Sequence, residues 1–381
     1  MNRPRREKQH FVPRFYLSNF TNYNDSIGMF NLLTKKYIED ASLYNQCQKK
    51  YFYGKSEEIE DALGEVEAKC SAIILNIIKN PDLKKLSRED RIPLMLFICL
   101  QQNRTNWSSE VTEDNYIEMI KKTAEFSGSV TDDELKNIEL KLSEAIKIPL
   151  EHAVKSFPLL LDLKIKILES NSKSKFITSD HPVVSLNPLM QGYESSGFPI
   201  GVVGMQSKGL VLLLPISSKF TLVAYDSIAY FFGKNEKNII TLNESDTNEI
   251  NRAIISNAQK NIYFDKSISQ DYIKTLCDKV NNKYYSGKNN VSLNRIDANK
   301  AILTTKPTLK VDNLLLSKRT LVVRQNAKDS IKEILLRNTN VDSMIRSTKL
   351  LKDYDEFYQN FSDEFATGFE LIDYIRKKRF S

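Results

Sequence analysis

The rhythm of hydrophobic and polar positions changes near residue 170. In EEIEDALGEVEAKCSAIILNIIKN, the apolar residues Ile59, Leu63, Val66, Cys70, Ile73 and Ile77 recur at intervals of three and four. That spacing lays a single apolar stripe along a helix. Asn80 and Pro81 end it. SREDRIPLMLFICLQQNRT predicts a second helix, with Ser87 as N-cap and Asp90 at its third position. Its LMLFICL run is apolar on every face, so this helix should pass through a core. One or two amphipathic helices follow between residues 110 and 147, the second over TDDELKNIELKLSEAI. HAVKSFPLLLDLKIKILES reads as helix continuing across or after Pro158. Ahead of these helices, residues 1–24 form an aromatic opening segment, and residues 26–54 form short strands and turns.

Beyond residue 170 the runs are short, β-rich and punctuated by Pro, Ser and Gly: FITSDHPVV, GLVLLLPISSKFTLVAYDS and IAYFFG. VLLLP and FTLVAY predict a hairpin of two buried strands. NESDTNEINRAIISNAQKNIYFDKS predicts a helix and then a short strand, and residues 270–290 a further helix. TLVVRQNA and DSIKEILLRN lead into a polar helical tail. The expected fold class is α+β, a helix-rich N-terminal half packed on a mixed or antiparallel sheet. Three regions are expected (1–170, 171–330 and 331–381), together forming one compact unit. No internal repeat or sustained heptad is present.

Composition narrows the class. The 381 residues are 41% hydrophobic and 27% charged, enough for a large core and too polar for a membrane protein. No apolar run has the length of a bilayer span, and Glu7, Gln9, His10 and Arg14 interrupt the N-terminus where a signal peptide would be apolar. Four scattered cysteines suit a reducing, cytoplasmic setting and give no zinc or disulfide spacing. Net charge is +7, with basic runs at both ends (RPRREK and IRKKRFS). This balance suits RNA or DNA as a partner, and equally a solvated pair of termini. A protein partner or a second copy of the chain stays open; a membrane does not.

Several stretches carry a resemblance when taken together: QHFVPRFYLSNF, YFYG, LQQNRT, FITSDHPVV and LLLPISS, in that order over residues 8–265. The chain resembles a bacterial family, domain-of-unknown-function family 4238. The resemblance implies a soluble bacterial protein, sometimes encoded beside mobile-element or phage-defence genes, and implies no activity or catalytic residue. This chain has SDHP where the family pattern suggests SDNP, and RTN where it suggests RTP. His181 is therefore not catalytic on family grounds.

The residues themselves offer candidates. His10 is either a general base or metal ligand, or a buried histidine that ties the opening segment down. Glu60 and Glu67 lie seven apart on one helix face with Gly64 between them, either a solvated acidic face or two acids lining a cleft. Gln101 and Arg104 close an apolar helix, where polar groups must reach solvent or satisfy one another. Arg104 is placed either to clamp a phosphate or to pair with Glu67. Ser179, Asp180 and His181 follow a strand, either as reactive groups or as a turn that binds its own backbone. The sharper reading makes His10, Glu60, Glu67 and Asp180 catalytic. Arg14, Gln101, Arg104, Ser179 and His181 then bind substrate, and Glu67 and Asp180 hold Mg²⁺ or Mn²⁺. No G-x-G-x-x-G, Walker A, G-x-S-x-G or H-E-x-x-H signature is present. The expected function is a metal-assisted phosphodiesterase or nuclease of a bacterial defence or toxin type. The alternative is a non-enzymatic sensor or interaction module of a defence system, with YFYG, Trp107 and FYQNF as interface aromatics.

Overall fold

The computed structural model describes residues 7–21, 25–128, 140–171, 174–191, 204–233, 237–280, 291–297, 300–305, 314–337, 344–361 and 366–380. Strand β1 (Lys8–His10) and the short helix α1 (Arg14–Ser18) precede a hairpin of β2 (Ser26–Asn31) and β3 (Tyr37–Ser42). β4 (Gln48–Lys50) then returns to pair antiparallel with β1. Helices α2 (Glu58–Lys79), α3 (Arg88–Asn103), α4 (Asn106–Phe126) and α5 (Lys147–Ser156) follow. The expected start of α3 is observed as a full capping box: the Ser87 hydroxyl accepts from Asp90 N and the Asp90 carboxylate accepts from Ser87 N.

The strands after α5 are β5 (Lys164–Glu169), β6 (Thr178–Ser179), β7 (Val184–Leu186), β8 (Val211–Pro215), β9 (Phe220–Tyr225), β10 (Tyr230–Phe232) and β11 (Ile239–Thr241). They are followed by α6 (Glu244–Asn257), β12 (Asn261–Phe264), α7 (Gln270–Asp278), the hairpin β13 (Val291–Arg295) and β14 (Ala301–Thr305), and β15 (Leu321–Val323). Helices α8 (Gln325–Arg337), α9 (Thr348–Asn360) and α10 (Gly368–Phe380) complete the chain.

Two sheets organise these elements into an α+β architecture. One has the order β11-β5-β9-β8-β7, with β11 and β5 parallel and its other pairs antiparallel. The other is antiparallel in the order β3-β2-β12-β6. Strands from before and after residue 170 therefore share one sheet. The five-stranded sheet is buried on both faces, which is why VLLLP and FTLVAY are apolar without alternation. Leu212, Leu214, Leu222 and Ala224 face a core built with α2, α3 and α5, while Val211, Leu213, Val223 and Tyr225 face a second core with α6, α7 and α8. Leu94 to Leu100 of α3 are all buried in the first core, as their all-round apolarity requires.

One expectation is corrected. KIKILE continues no helix: α5 ends at Ser156, a 3₁₀ turn spans Phe157–Leu160, and Lys164–Glu169 is the inner strand β5 between β11 and β9. Its period is two, with Ile165 and Ile167 in one core and Leu168 in the other. The sequence carries that period as the alternation from Leu161 to Ile167, which Lys166 disguises by being a buried cation. Lys166 is fully buried; its Nζ donates to the Phe232 carbonyl at 2.6 Å, and burial lowers its pKa. Of the stretch TDDELKNIELKLSEAI, residues 131–139 lie outside the described residues. The four cysteines are free and buried. Among the described residues, no helix is long and apolar enough to cross a membrane.

Candidate functional site

The site begins with the pairing of β1 and β4, which sets Gln9 opposite Lys49 and His10 opposite Gln48. The Gln9 side chain turns inward: Oε1 accepts from Tyr53 N at 2.6 Å and Nε2 donates to the Gly54 carbonyl at 3.1 Å. It thereby pins the YFYG loop, whose tight path needs positive φ at Tyr51 (50°) and at Gly54 (94°). Tyr53 is buried, and its hydroxyl donates back to the His10 carbonyl at 3.1 Å.

His10 itself is half-buried. Its Nε2 lies 3.1 Å from the Tyr44 carbonyl, which can only accept, so Nε2 carries the proton. In the neutral ring Nδ1 then holds the lone pair. Burial lowers the His10 pKa; the Tyr44 bond and the charge of Glu67 oppose this, while Arg14 and Arg104 reinforce it. The ring is therefore neutral at pH 7 and flanked by both signs of charge.

The end of α3 supplies the opposite wall. Gln101, fully buried, donates from Nε2 to the Phe11 carbonyl at 3.0 Å and accepts from Arg104 Nε at 3.1 Å. Arg104 Nη1 meets Glu67 Oε1 at 2.8 Å. The Arg104 side chain is 1% exposed and that of Glu67 28%, so the pair has one end in the interior and one in water. Arg104 Nη2 is buried with no hydrogen-bond partner. Burial opposes the Arg104 charge, yet Glu67, Tyr53 and Glu60 together raise its pKa above the usual value. Of the two open readings of Arg104, the structure gives the ion pair with Glu67. Arg104 thus bonds Gln101 and Glu67 and feels the charge of Glu60, and His10 feels the charges of Glu67 and Arg104. Gly64 separates nothing: a Cβ there would meet no atom within 4 Å.

The SDHP segment is engaged elsewhere. Asp180 Oδ1 accepts from Gln259 N at 2.8 Å, and Oδ2 accepts from Lys260 N at 2.8 Å and Asn261 N at 2.9 Å. These bonds hold the turn between α6 and β12. Burial pushes the Asp180 pKa up to about 6 although the three amides pull it down. His181 packs on Trp107 with ring centroids 4.8 Å apart, and its Nδ1 lies 2.8 Å from Thr105 Oγ1, the N-cap of α4. Burial pushes the His181 pKa down to about 4. Ser179 is buried and accepts from His181 N, and Asn257 Nδ2 donates to the His181 and Val183 carbonyls. Glu67 and Asp180 consequently have separate partners. Among the described residues, no group of three or more His, Cys, Asp or Glu side chains gathers as a metal-holding cluster.

Arg14 is exposed at the start of α1. Its guanidinium lies 5.4 Å from the centre of the Tyr44 ring, and it borders a surface cleft of about 720 Å³. Several network members escaped the sequence reading: Gln9, Tyr53, Thr105, and Tyr16, whose hydroxyl donates to the Pro215 carbonyl at 2.5 Å and lies 2.8 Å from Thr178 Oγ1. The signal available was polar residues inside otherwise apolar motifs, which must be satisfied once buried. Every quoted motif contributes to one of these bonded groups.

No curated protein and no solved structure matches the chain. A family model described as "Protein of unknown function (DUF4238)" matches residues 8–267, more than half of the chain, and the protein belongs to that family.

Proposed function

We propose that the protein cleaves phosphodiester bonds of RNA or DNA, with His10 as general base and Glu67 as the charged group beside it. The observation that supports this is their position. A neutral imidazole with its proton fixed on Nε2 stands near a partly exposed carboxylate that a buried arginine orients. In this reading His10 Nδ1 takes the proton of the attacking hydroxyl or water. Arg14, exposed on the same side, meets the phosphate. Arg104 keeps Glu67 aimed, acting as a positioning residue because its own guanidinium is closed off from solvent. Glu60 adds negative charge on the same helix face.

Mg²⁺ or Mn²⁺ remains part of this proposal. Such ions commonly take one or two carboxylates together with substrate phosphate oxygens. Glu67 and Glu60 are the acids in place for that, while both oxygens of Asp180 already accept backbone amides. A bound divalent ion would supply positive charge for the leaving oxygen.

The test is cleavage of end-labelled RNA and DNA oligonucleotides, with and without Mn²⁺, by wild type, His10→Ala and Glu67→Gln. Both variants should lose cleavage while circular dichroism shows them folded. Wild type that cuts neither nucleic acid under any of these conditions removes the enzymatic reading. A specific observation favours the non-enzymatic alternative: Gln9, Gln101, Asp180 and His181 are all buried and bonded within the fold. In that alternative the motifs build a rigid polar core for a sensor or interaction module of a defence system.

A further inference from the structure

The 720 Å³ cleft beside Arg14 lies between α1, the C-terminal end of α2 and the β8–β9 turn. Three exposed cations from these three elements border it: Arg14, Lys79 and Lys219. Among the described residues Asp25 is the one acid on its lining, and these lining residues carry a net formal charge of +2 (three cations less one anion). Lys219 also reaches Glu169 at 3.1 Å, and Lys79 offsets the negative carbonyl end of its own helix. Asn19 lines the cleft too, and its Nδ2 is buried without a hydrogen-bond partner. The remaining lining is mixed: Ser18, Thr21, Ser217 and Ser218 bring polar side chains, and the apolar ones include Leu75, which is exposed. Positive charge beside hydroxyls and apolar side chains is the chemistry of a nucleotide, whose phosphate is anionic, whose sugar takes hydrogen bonds and whose base is flat and apolar on its faces.

We propose that this cleft binds a single strand of nucleic acid, with phosphates on Arg14, Lys79 and Lys219 and a base against the apolar side chains of its lining. A concave site of this size takes one strand, whereas a duplex turns its phosphates outward around a wide cylinder. Arg14 links the cleft to the candidate catalytic face, because its charge acts on His10 and its guanidinium lies over Tyr44, whose carbonyl fixes the His10 ring. The inference deepens the phosphodiesterase reading by naming the substrate form and its path, and it rests on that reading only for the direction of the strand.

Binding is read separately from turnover by fluorescence anisotropy with a labelled, uncleavable 2′-O-methyl RNA strand of about 12 nucleotides. The same sequence as a duplex and inorganic phosphate serve as competitors. Lys79→Glu with Lys219→Glu should weaken binding by about ten-fold or more and flatten its salt dependence. Lys349→Glu with Lys352→Glu makes the same change of net charge on exposed residues of α9 and should leave affinity within about two-fold. Equal weakening by both pairs, stronger competition by duplex than by single strand, or no binding by wild type overturns the inference. A protein that binds the strand through this cleft and never cuts it retains this inference and loses the catalytic one. Cleavage with an unchanged KM in the Lys79/Lys219 variant does the reverse.

Discussion

Removing Glu67 should cost the protein more stability than removing Arg104, although the two form one ion pair. Glu67→Met leaves the guanidinium in the interior, 1% exposed, with Gln101 Oε1 as its acceptor and Nη2 already unpaired. Breaking a buried pair in this way costs about 3–5 kcal/mol. Glu67 is 28% exposed, so water already screens part of the attraction, and the expected loss falls to about 2–3 kcal/mol. Arg104→Met leaves instead a carboxylate that reaches solvent, plus a Gln101 oxygen without its donor. That is the loss of one hydrogen bond, about 1–2 kcal/mol. The double variant keeps only the Gln101 deficit, near 1 kcal/mol, so the two substitutions should be coupled by about 2–4 kcal/mol. Methionine approximates the volume of both side chains, which limits cavity effects. Urea denaturation of the four proteins, followed by tryptophan fluorescence and far-UV dichroism, gives the cycle. Arg104→Met as damaging as Glu67→Met, or additivity within about 0.5 kcal/mol, would refute the account of a cation buried and an anion at the surface.

Three further outcomes are expected. Gly64→Ala should stabilise the protein by about 0.5–1 kcal/mol in the same denaturation assay, because it lies inside α2 and a Cβ there meets open space. Asp180 has a folded pKa of about 6, raised by burial, so its contribution to stability is fully present below its unfolded value and lost as pH rises through 6. The advantage of wild type over Asp180→Asn should therefore shrink by about 2 kcal/mol between pH 4 and pH 7; an advantage that grows over this window would show that the three amides outweigh burial. If His10 is the general base, the acid limb of the pH–rate profile should fall below 6.5, the direction in which burial moves His10; a limb above that value excludes His10 in this role.

Local chemistry alone determined much of this protein. The three-and-four spacing from Ile59 to Ile77 and the Ser87–Asp90 pair mark α2 and the start of α3, because a helix repeats its faces and exposes unpaired amides within one or two turns. The hairpin of VLLLP with FTLVAY and the order of α6 and β12 follow similarly from short-range signals. Strand β5 escaped because the strands β9 and β11 that pair with its two edges lie more than fifty residues away. The chemistry divides along the same line. Sequence offered His10, Glu67 and Asp180 as catalytic and Arg104 as substrate-binding, each beside a structural alternative. Tertiary packing decided that Arg104 is sealed against Glu67, that Asp180 binds three amides of a distant turn, and that His10 has its proton fixed by Tyr44. A polar side chain satisfies whichever partner the fold brings within about 3 Å, and that partner is set by contacts across the whole chain rather than by its neighbours in sequence.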